Sequence, residues 1–247
     1  MGAGSMKQLD TPSSALAIGS HPDDIEFGAG ATLARWAENG CDVHLLVLTD
    51  GSKGSWDGAA NLEALVATRE REAKAAAERL GAKSLTLLGY PDGELQSGMP
   101  EREAVCRVIR STRPQVLLGH DPWRRYRLHP DHRHAGWLTV DGLVCARDPH
   151  FFPDSGLHHR PDALLLFEAD TPNHWEPAEG HLGVKVDALL EHKSQWHSTM
   201  GIVPGASEEL SQRSAFIAQV RDNAARENHN PELPDGLYEA FHLITDT

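Results

Sequence analysis

Short apolar runs alternate with longer amphipathic stretches through the first half of the chain. The short runs suit buried strands, and the longer stretches repeat their apolar positions at helical spacing. Such alternation is typical of βα units, in which parallel strands form a sheet and helices cover its two faces. The pattern therefore predicts an α/β, Rossmann-like fold with a mostly parallel β-sheet sandwiched by helices.

Strands are predicted at four positions in the first half of the chain: residues 14–20, 43–48, 84–88 and 115–119. Helices are expected to alternate with them at residues 30–39, 61–80, 100–112 and 130–146. Proline in the first turn and glycine after the last turn support several of these bounds. Later elements are expected as strands at 161–167 and 238–244 and helices at 184–197 and 206–228, with loops at 147–160 and 170–181.

The chain has 247 residues, of which 40% are hydrophobic, so it is long enough for a sizeable core and short enough for one domain. Residues 1–12 are expected to form a flexible N-terminal segment, and residues 13–247 a single domain. The net charge of −13 disfavours nucleic acid and anionic membranes as partners. A small-molecule substrate is more compatible with this charge.

Nothing in the chain approaches the roughly 18 consecutive apolar residues of a membrane-spanning helix. Cys41, Cys106 and Cys145 are odd in number and widely spaced, which predicts buried thiols in a reducing compartment. The protein is therefore expected to be cytoplasmic, without membrane insertion. A homo-oligomer is compatible with the sequence, although no segment indicates an interface.

Two dense groups of histidine and aspartate follow predicted strands. His21-Pro22-Asp23-Asp24 comes directly after the first strand, and His129-Pro130-Asp131-His132 follows the fourth. In open α/β sheets, ligands bind outside the carboxyl ends of the strands. We therefore expect the two groups to meet at one edge of the sheet as the halves of a single metal site.

Zinc accepts imidazole nitrogen and carboxylate oxygen, and three protein ligands leave a fourth position for a water. We assign His21, Asp24 and His132 as ligands of Zn²⁺, or of another divalent transition metal. Asp23 is then placed to take a proton from the metal-bound water as general base.

His129 stands one helical turn before His132, so both side chains are expected on the same face of the helix. As an imidazolium, His129 would stabilise an oxyanion and protonate a leaving amine. A hydrogen bond with Asp131 would hold its tautomer and raise its proton affinity. A metal-bound water, a base and an acid together suit the hydrolysis of an amide or ester.

Two non-hydrolytic classes of protein compete with this interpretation. Gly28-Ala29-Gly30 follows the first strand as in a dinucleotide-binding turn, but Leu33 stands where a third glycine is needed. The adjacent acids Asp23 and Asp24 would suit Mg²⁺ in a metal-binding or phosphoacceptor domain. Imidazole ligands favour zinc or another late divalent metal over Mg²⁺.

Four motifs together carry a resemblance to a known family: the run from His21 to Ala34, the turn Leu48-Thr49-Asp50-Gly51, Arg69, and His129-Pro130-Asp131-His132. Through them the chain resembles the PIG-L/LmbE family of zinc-dependent N-deacetylases, over about residues 13–200. The resemblance implies removal of an N-acetyl group from an N-acetylglucosamine-type amino sugar or glycoconjugate. An amidase acting on a non-sugar or thiol-conjugate amide is the alternative.

The resemblance implies the same roles for the residues of the two clusters, and it adds candidates for substrate binding. Arg69 aligns with an arginine that in the family reaches substrate hydroxyls or phosphate. Ser52 is a departure, because many members have glutamate at this position of the turn. Near the second cluster, the Trp123 indole would stack on a pyranose face and the Arg124 guanidinium would hold an anion or a sugar.

Overall fold

The computed structural model describes residues 9–227, 230, 231 and 233–247, which form one α/β domain. Residues 1–8, most of the predicted flexible segment, lie outside the described residues. Within the described chain the strands are β1 (Ser14–Gly19), β2 (Asp42–Thr49), β3 (Ser84–Tyr90), β4 (Val116–His120), β5 (Ala163–Phe167), β6 (His174–Pro177) and β7 (Tyr238–Ile244). The helices are α1 (Asp24–Glu38), α2 (Leu62–Arg79), α3 (Met99–Thr112), α4 (Pro130–Arg147), α5 (Leu182–Glu191) and α6 (Glu209–Arg226).

The strands form a single sheet in the order β3-β2-β1-β4-β5-β7-β6. The first five strands run parallel, and the last two are antiparallel to their neighbours. The chain builds outwards from β1 to β3 and then crosses to β4 on the other side of β1. This crossover creates a topological switch point, where open α/β sheets bind their ligands. The predicted fold class is confirmed.

Alternate residues of each central strand enter two separate hydrophobic clusters. In β1, Ala15 and Ala17 pack under α1, whereas Leu16 and Ile18 face α3 and α4. This follows from the two-residue period of a strand that is buried on both faces. The three cysteines are buried and free, as predicted. Each helix of the described chain is too short or too polar to cross a bilayer.

Helix α1 begins at Asp24, earlier than the predicted start at residue 30. Two glycines near the predicted start, Gly28 and Gly30, lie inside the helix and allow close packing. A Cβ at Gly28 would lie 2.5 Å from the ring of Phe167, and one at Gly30 would lie 3.0 Å from Lys185. The absence of side chains at these positions lets α1 approach β5 and α5 closely, and brings Asp24 to the switch point at the start of the helix.

Two differences from the predicted elements lie in the second half of the chain. The segment 170–181 was expected to be a loop, but His174–Pro177 pairs antiparallel with β7 as an edge strand. Its short polar sequence lacks the alternation of a strand, so the pairing depends on the neighbour. The helix expected over 184–197 ends at Glu191, and a 3₁₀ turn, Lys193–Gln195, and a π-helical turn, Trp196–Met200, follow it.

Candidate active site

The turn between β1 and α1 presents the residues of the first cluster. Asp23 adopts φ 103°, a left-handed conformation that side chains rarely take. Its carbonyl oxygen accepts a hydrogen bond from Phe27 N at 3.0 Å, and His21 N donates to Asp24 Oδ2 at 2.7 Å. A residue held in such a conformation costs about 1–3 kcal/mol, and strain of this kind clusters at functional sites.

Ligand atoms of the two clusters converge at the switch point. His21 Nδ1 lies 3.1 Å from His132 Nε2 and 3.4 Å from Asp24 Oδ2. His132 Nε2 lies 3.3 Å from Asp24 Oδ1. With zinc–ligand bonds of about 2.0–2.1 Å, neighbouring atoms of a tetrahedral site stand about 3.3 Å apart. The spacing and the donor types of these three residues therefore fit a divalent cation.

Other residues among those described also bring ligand atoms together. Three overlapping groups have all their ligand atoms within 4.8 Å of one another: His21, His129 and His132; Asp24, His120 and His132; and His21, Asp92 and Asp131. Each group contains His21 or His132, so these two imidazoles are the common members. The neighbours that surround them are able to orient the rings as well as to bind a metal.

Asp131 is fully buried and contacts His21 through its side chain. Its Oδ2 lies 3.2 Å from His21 Nε2 and accepts a hydrogen bond from Gly93 N at 2.6 Å. Asp92 Oδ1 also lies 3.2 Å from His21 Nε2. The two carboxylates favour a proton on Nε2, which directs the lone pair of Nδ1 towards the other ligand atoms. The expectation of a side-chain hydrogen bond between Asp131 and His129 is corrected. The contact between them involves the backbone of Asp131, whose N donates to His129 Nδ1 at 3.3 Å.

His120, the last residue of β4, lies behind the predicted ligands. Its Nε2 is 3.2 Å from Asp24 Oδ2, and its Nδ1 is 3.1 Å from Glu168 Oε2. Burial opposes charge on this ring, but the carboxylates of Asp24 and Glu168 outweigh it and raise the pKa of His120. Glu168 also pairs with Arg127, whose guanidinium contacts His132. His120, Glu168 and Arg127 are thus connected to one another, and through them contacts reach both Asp24 and His132.

Burial and neighbouring charges set the protonation of the predicted ligands. Burial lowers the pKa of His132 to about 4, which favours the neutral imidazole that a metal requires. For Asp24, burial opposes the charged form, but His132 and His120 lower its pKa well below the ordinary value. For His21, burial is likewise outweighed, here by hydrogen bonds with Asp131 and Asp24 that raise its pKa.

Asp23 is almost completely buried, although it is charged in the unfolded chain at neutral pH. Its Oδ2 has no hydrogen-bond partner within the described residues. Burial, followed by the charge of Asp24, raises the pKa of Asp23 to about 8. A carboxyl group with a raised pKa and a free oxygen, next to a metal-binding cluster, suits proton transfer near neutral pH.

His129 is exposed at the N-cap position of α4. Its ring stacks on that of His132, with 5.0 Å between centroids, and meets the ring of His21 edge-on at 4.7 Å. Partial burial and the charge of His21 lower the pKa of His129, and Asp131 does not reverse this. The charge of Asp131 acts to raise the pKa of His129, which is the expected direction, but burial and the charge of His21 outweigh it.

Arg69 projects from α2 and is only 2% exposed. Its guanidinium donates to the carbonyl oxygens of Gly51 at 2.5 Å and Gly54 at 3.0 Å. It therefore closes the loop that follows β2, and a side chain at Gly54 would collide with it at 2.5 Å. The predicted contact of Arg69 with a substrate stays a prediction, whereas its contact with the loop is observed.

Trp123 and Arg124 lie in the irregular segment between β4 and α4. The Trp123 side chain is 52% exposed, and its ring meets that of Trp137 edge-on at 5.3 Å between centroids. Arg124 Nη1 donates to the carbonyl oxygen of Glu168 at 2.8 Å. Both residues therefore anchor the segment, and each keeps part of its surface open to solvent beside Arg127.

Residues 16–142 match the model of the family PIG-L, described as GlcNAc-PI de-N-acetylase. The diacetylchitobiose deacetylase of Thermococcus kodakarensis is 37% identical over 185 residues, which are 73% of this chain and 69% of that protein. The chain belongs to the PIG-L family.

A second relative of this PIG-L chain is the 1D-myo-inositol 2-acetamido-2-deoxy-alpha-D-glucopyranoside deacetylase of Kineococcus radiotolerans, 35% identical over 58% of this chain and 48% of that protein. Among solved structures, the N,N'-diacetylchitobiose deacetylase of Pyrococcus horikoshii has a TM-score of 0.81 at 23% identity, over 95% of this chain and 84% of that chain. The structural likeness shows that the fold is shared along nearly the whole chain.

The PIG-L chain also contains site residues that the sequence predictions did not assign: Asp92, His120, Arg127 and Glu168. Asp92 lies two residues after the end of β3 and Glu168 directly follows β5. The rule that placed the two clusters at the carboxyl ends of strands would therefore also have placed these acids there. His120 ends β4, and its contacts with two carboxylates give it a supporting position. Arg127 had no comparable signal, because it lies in an irregular segment.

Proposed function

We propose that the protein is a zinc-dependent hydrolase that removes the N-acetyl group from an N-acetylglucosamine-type amino-sugar substrate. The observation that carries this proposal is the mutual spacing of 3.1–3.4 Å among ligand atoms of His21, Asp24 and His132. A ligand set of two imidazole nitrogens and one carboxylate suits Zn²⁺, or another divalent transition metal, better than Mg²⁺. When bound, such a metal would lower the pKa of a water molecule and polarise the carbonyl of the amide.

Asp23 serves as the general base in this proposal. Its unpartnered oxygen is available to accept the proton of the attacking water, and its backbone is held in a left-handed conformation. A cation held by Asp24 would favour the charged form of Asp23 and bring its pKa down from about 8. The base would then be ionised at neutral pH, when the reaction requires it.

His129 serves as the residue that stabilises the oxyanion and donates a proton to the departing amine. Its exposed position above the rings of His21 and His132 leaves it accessible to a bound amide. The lowered pKa of His129 reflects partial burial first and then the charge that His21 carries when protonated. Asp131 acts on the same site through His21. Its carboxylate contacts Nε2 of His21 and so orients this predicted metal ligand.

The amino-sugar substrate is proposed from the two relatives, whose names describe an N-acetylated disaccharide and an N-acetylglucosamine-inositol conjugate. Exposed surface on Trp123 offers a face for a pyranose ring, and Arg124 lies beside it. Ser52, in the loop that Arg69 holds, is half-buried and offers a hydroxyl where other members carry a carboxylate. These three positions are the ones that would set the identity of the sugar.

The test is release of acetate and free amine from a panel of amides by the protein purified without chelator. The panel contains N-acetylglucosamine, N,N'-diacetylchitobiose, an N-acetylglucosaminyl inositol and an N-acetylated thiol conjugate, each assayed before and after metal removal. We expect cleavage of an amino sugar that stops on chelation and returns with Zn²⁺. Cleavage of the thiol conjugate alone would favour an amidase of the other substrate class, and no cleavage by zinc-loaded protein would overturn the proposal.

A further inference from the structure

The 3₁₀ turn after α5 reaches the catalytic turn from far along the chain. Gln195 is 4% exposed, and its Nε2 donates to the carbonyl oxygen of Pro22 at 2.7 Å. Pro22 and Asp23 share the peptide group whose orientation sets φ at Asp23. The buried carboxamide of Gln195 therefore fixes the peptide on one side of the proposed base.

The peptide on the other side of Asp23 is fixed by α1, because Asp23 O accepts from Phe27 N at 3.0 Å. Asp23 thus lies between two peptide groups that are each held by a hydrogen bond, and its φ of 103° is set between them. A strained conformation persists only where the surrounding structure determines it. Of these two hydrogen bonds, the one from Gln195 comes from outside the turn and its own helix.

The turn that carries Gln195 is itself attached to two helices. Ser194 donates to Glu72 of α2 through N at 2.9 Å and through Oγ at 2.6 Å. His192, which is fully buried, has Nε2 3.4 Å from Glu26 Oε1 in the first turn of α1. These contacts give Gln195 a rigid base from which to hold the peptide before Asp23.

We propose that Gln195 is a positioning residue that keeps Asp23 in its left-handed conformation and so keeps its carboxyl group aligned for proton transfer. This inference rests on the proposed function, since the alignment matters only if Asp23 is the base. It assigns Gln195 no contact with the substrate and no metal contact. Its loss should therefore lower the rate of chemistry while leaving substrate affinity and metal binding intact.

The test compares Q195M, which keeps the length of the side chain but removes the donor, with the native protein and with Q212M. Gln212→Met is a matched control, because it is the same substitution in α6, where the side chain accepts a hydrogen bond from Val203 N at 2.8 Å and does not contact Pro22. For Q195M we expect kcat to fall about 10- to 100-fold, the scale of a small misplacement of a reacting group. KM and zinc content should stay within about twofold, and Q212M should retain native kcat.

A crystal structure of zinc-free Q195M gives a readout that does not depend on activity. We expect Asp23 to leave the positive-φ region in this variant, and a retained φ near 103° together with a native kcat would overturn the inference. An equal loss of kcat in Q212M would also overturn it, since the effect would then not depend on the hydrogen bond to Pro22. Q195N, which withdraws the donor, replaces Q195M if that variant does not fold. An inactive native protein would count against the proposed function, while the Asp23 backbone would still test Gln195.

Discussion

Nε2 of the buried His120 lies 3.2 Å from Oδ2 of Asp24. Asp24 is thereby held by an imidazole from β4 while its other oxygen faces His132 at 3.3 Å. The first cluster and the end of the fourth strand are thus joined before any metal enters. A ligand that is oriented in advance loses less freedom when a cation binds.

Replacing His120 should weaken metal binding without abolishing it. In H120A, Asp24 keeps its place in the chain but loses the hydrogen bond that orients its carboxylate. Loss of such a supporting contact lowers metal affinity about 10- to 100-fold. The dissociation constant for Zn²⁺, measured by competition with a coloured chelator, should rise by this factor while the fold is retained.

The control for this prediction is H134A, since His134 lies on α4 and contacts Ser97 rather than the predicted ligands. Its zinc affinity should equal that of the native protein. The zinc affinity of H132A should fall much further than that of H120A, because His132 is a predicted ligand. If H120A and H132A lost affinity equally, His120 would belong to the ligand set instead of supporting it.

The meeting of the two clusters was predictable because it depends on the order of strands. One apolar run ends just before His21, and another ends at residue 119, in the segment that leads to His129. Both clusters are therefore placed at the carboxyl edge of a parallel sheet. The same rule reaches Asp92 and Glu168, which the sequence predictions left unassigned. These positions follow from topology, and topology follows from the alternation of apolar and amphipathic segments.

The pairing of carboxylates with imidazoles was not predictable in the same way. Asp131 is two residues from His129 in sequence, yet its carboxylate contacts His21 across the site. Helical geometry turns residue 131 towards β1, and sequence proximity does not reveal this direction. The positive φ of Asp23 was equally hidden, because it is imposed by hydrogen bonds from Phe27 and the distant Gln195.

Asp23 should make the stability of the metal-free protein depend on pH. Its folded-state pKa is raised from 3.8 to about 8, so between these values the folded state binds a proton that the unfolded state has lost. The stabilisation of the folded state by this proton is complete below about pH 4. It is lost as pH rises towards 8, by at most about 1.4 kcal/mol per pH unit. Urea unfolding in the presence of chelator should therefore show that the free energy of unfolding of D23N rises relative to that of the native protein from pH 5 to pH 8.

Asp10→Asn serves as the comparison for this pH series, because Asp10 is exposed and lies before β1, outside the turn that carries Asp23. The difference in the free energy of unfolding between D10N and the native protein should not change over the same pH range. A constant difference between D23N and the native protein from pH 5 to pH 8 would show that the pKa of Asp23 is not raised in the folded state. The same D23N protein, loaded with zinc, should bind substrate but hydrolyse it far more slowly.

Replacing Arg69 should destabilise the loop after β2. R69L removes two hydrogen bonds and leaves the carbonyl oxygens of Gly51 and Gly54 without their partner, at a cost of about 2–4 kcal/mol. R71L, at an exposed position of the same helix, should change the free energy of unfolding by less than about 0.5 kcal/mol. Unfolding in urea measures both, and a raised KM in R69L with native stability would identify a direct substrate contact instead.

Replacing His129 should separate catalysis from metal binding. The ring lies against those of His21 and His132 but is exposed, and its loss leaves the spacing of the predicted ligands in place. We expect H129A to hold a native amount of zinc and to lose about 10²- to 10³-fold in kcat, the usual scale for one oxyanion contact. Zinc content by atomic absorption and initial rates on the cleaved amide measure the two effects. Because His129 also belongs to a group with ligand spacing, loss of zinc from H129A would place it among the ligands and leave the oxyanion without a histidine partner.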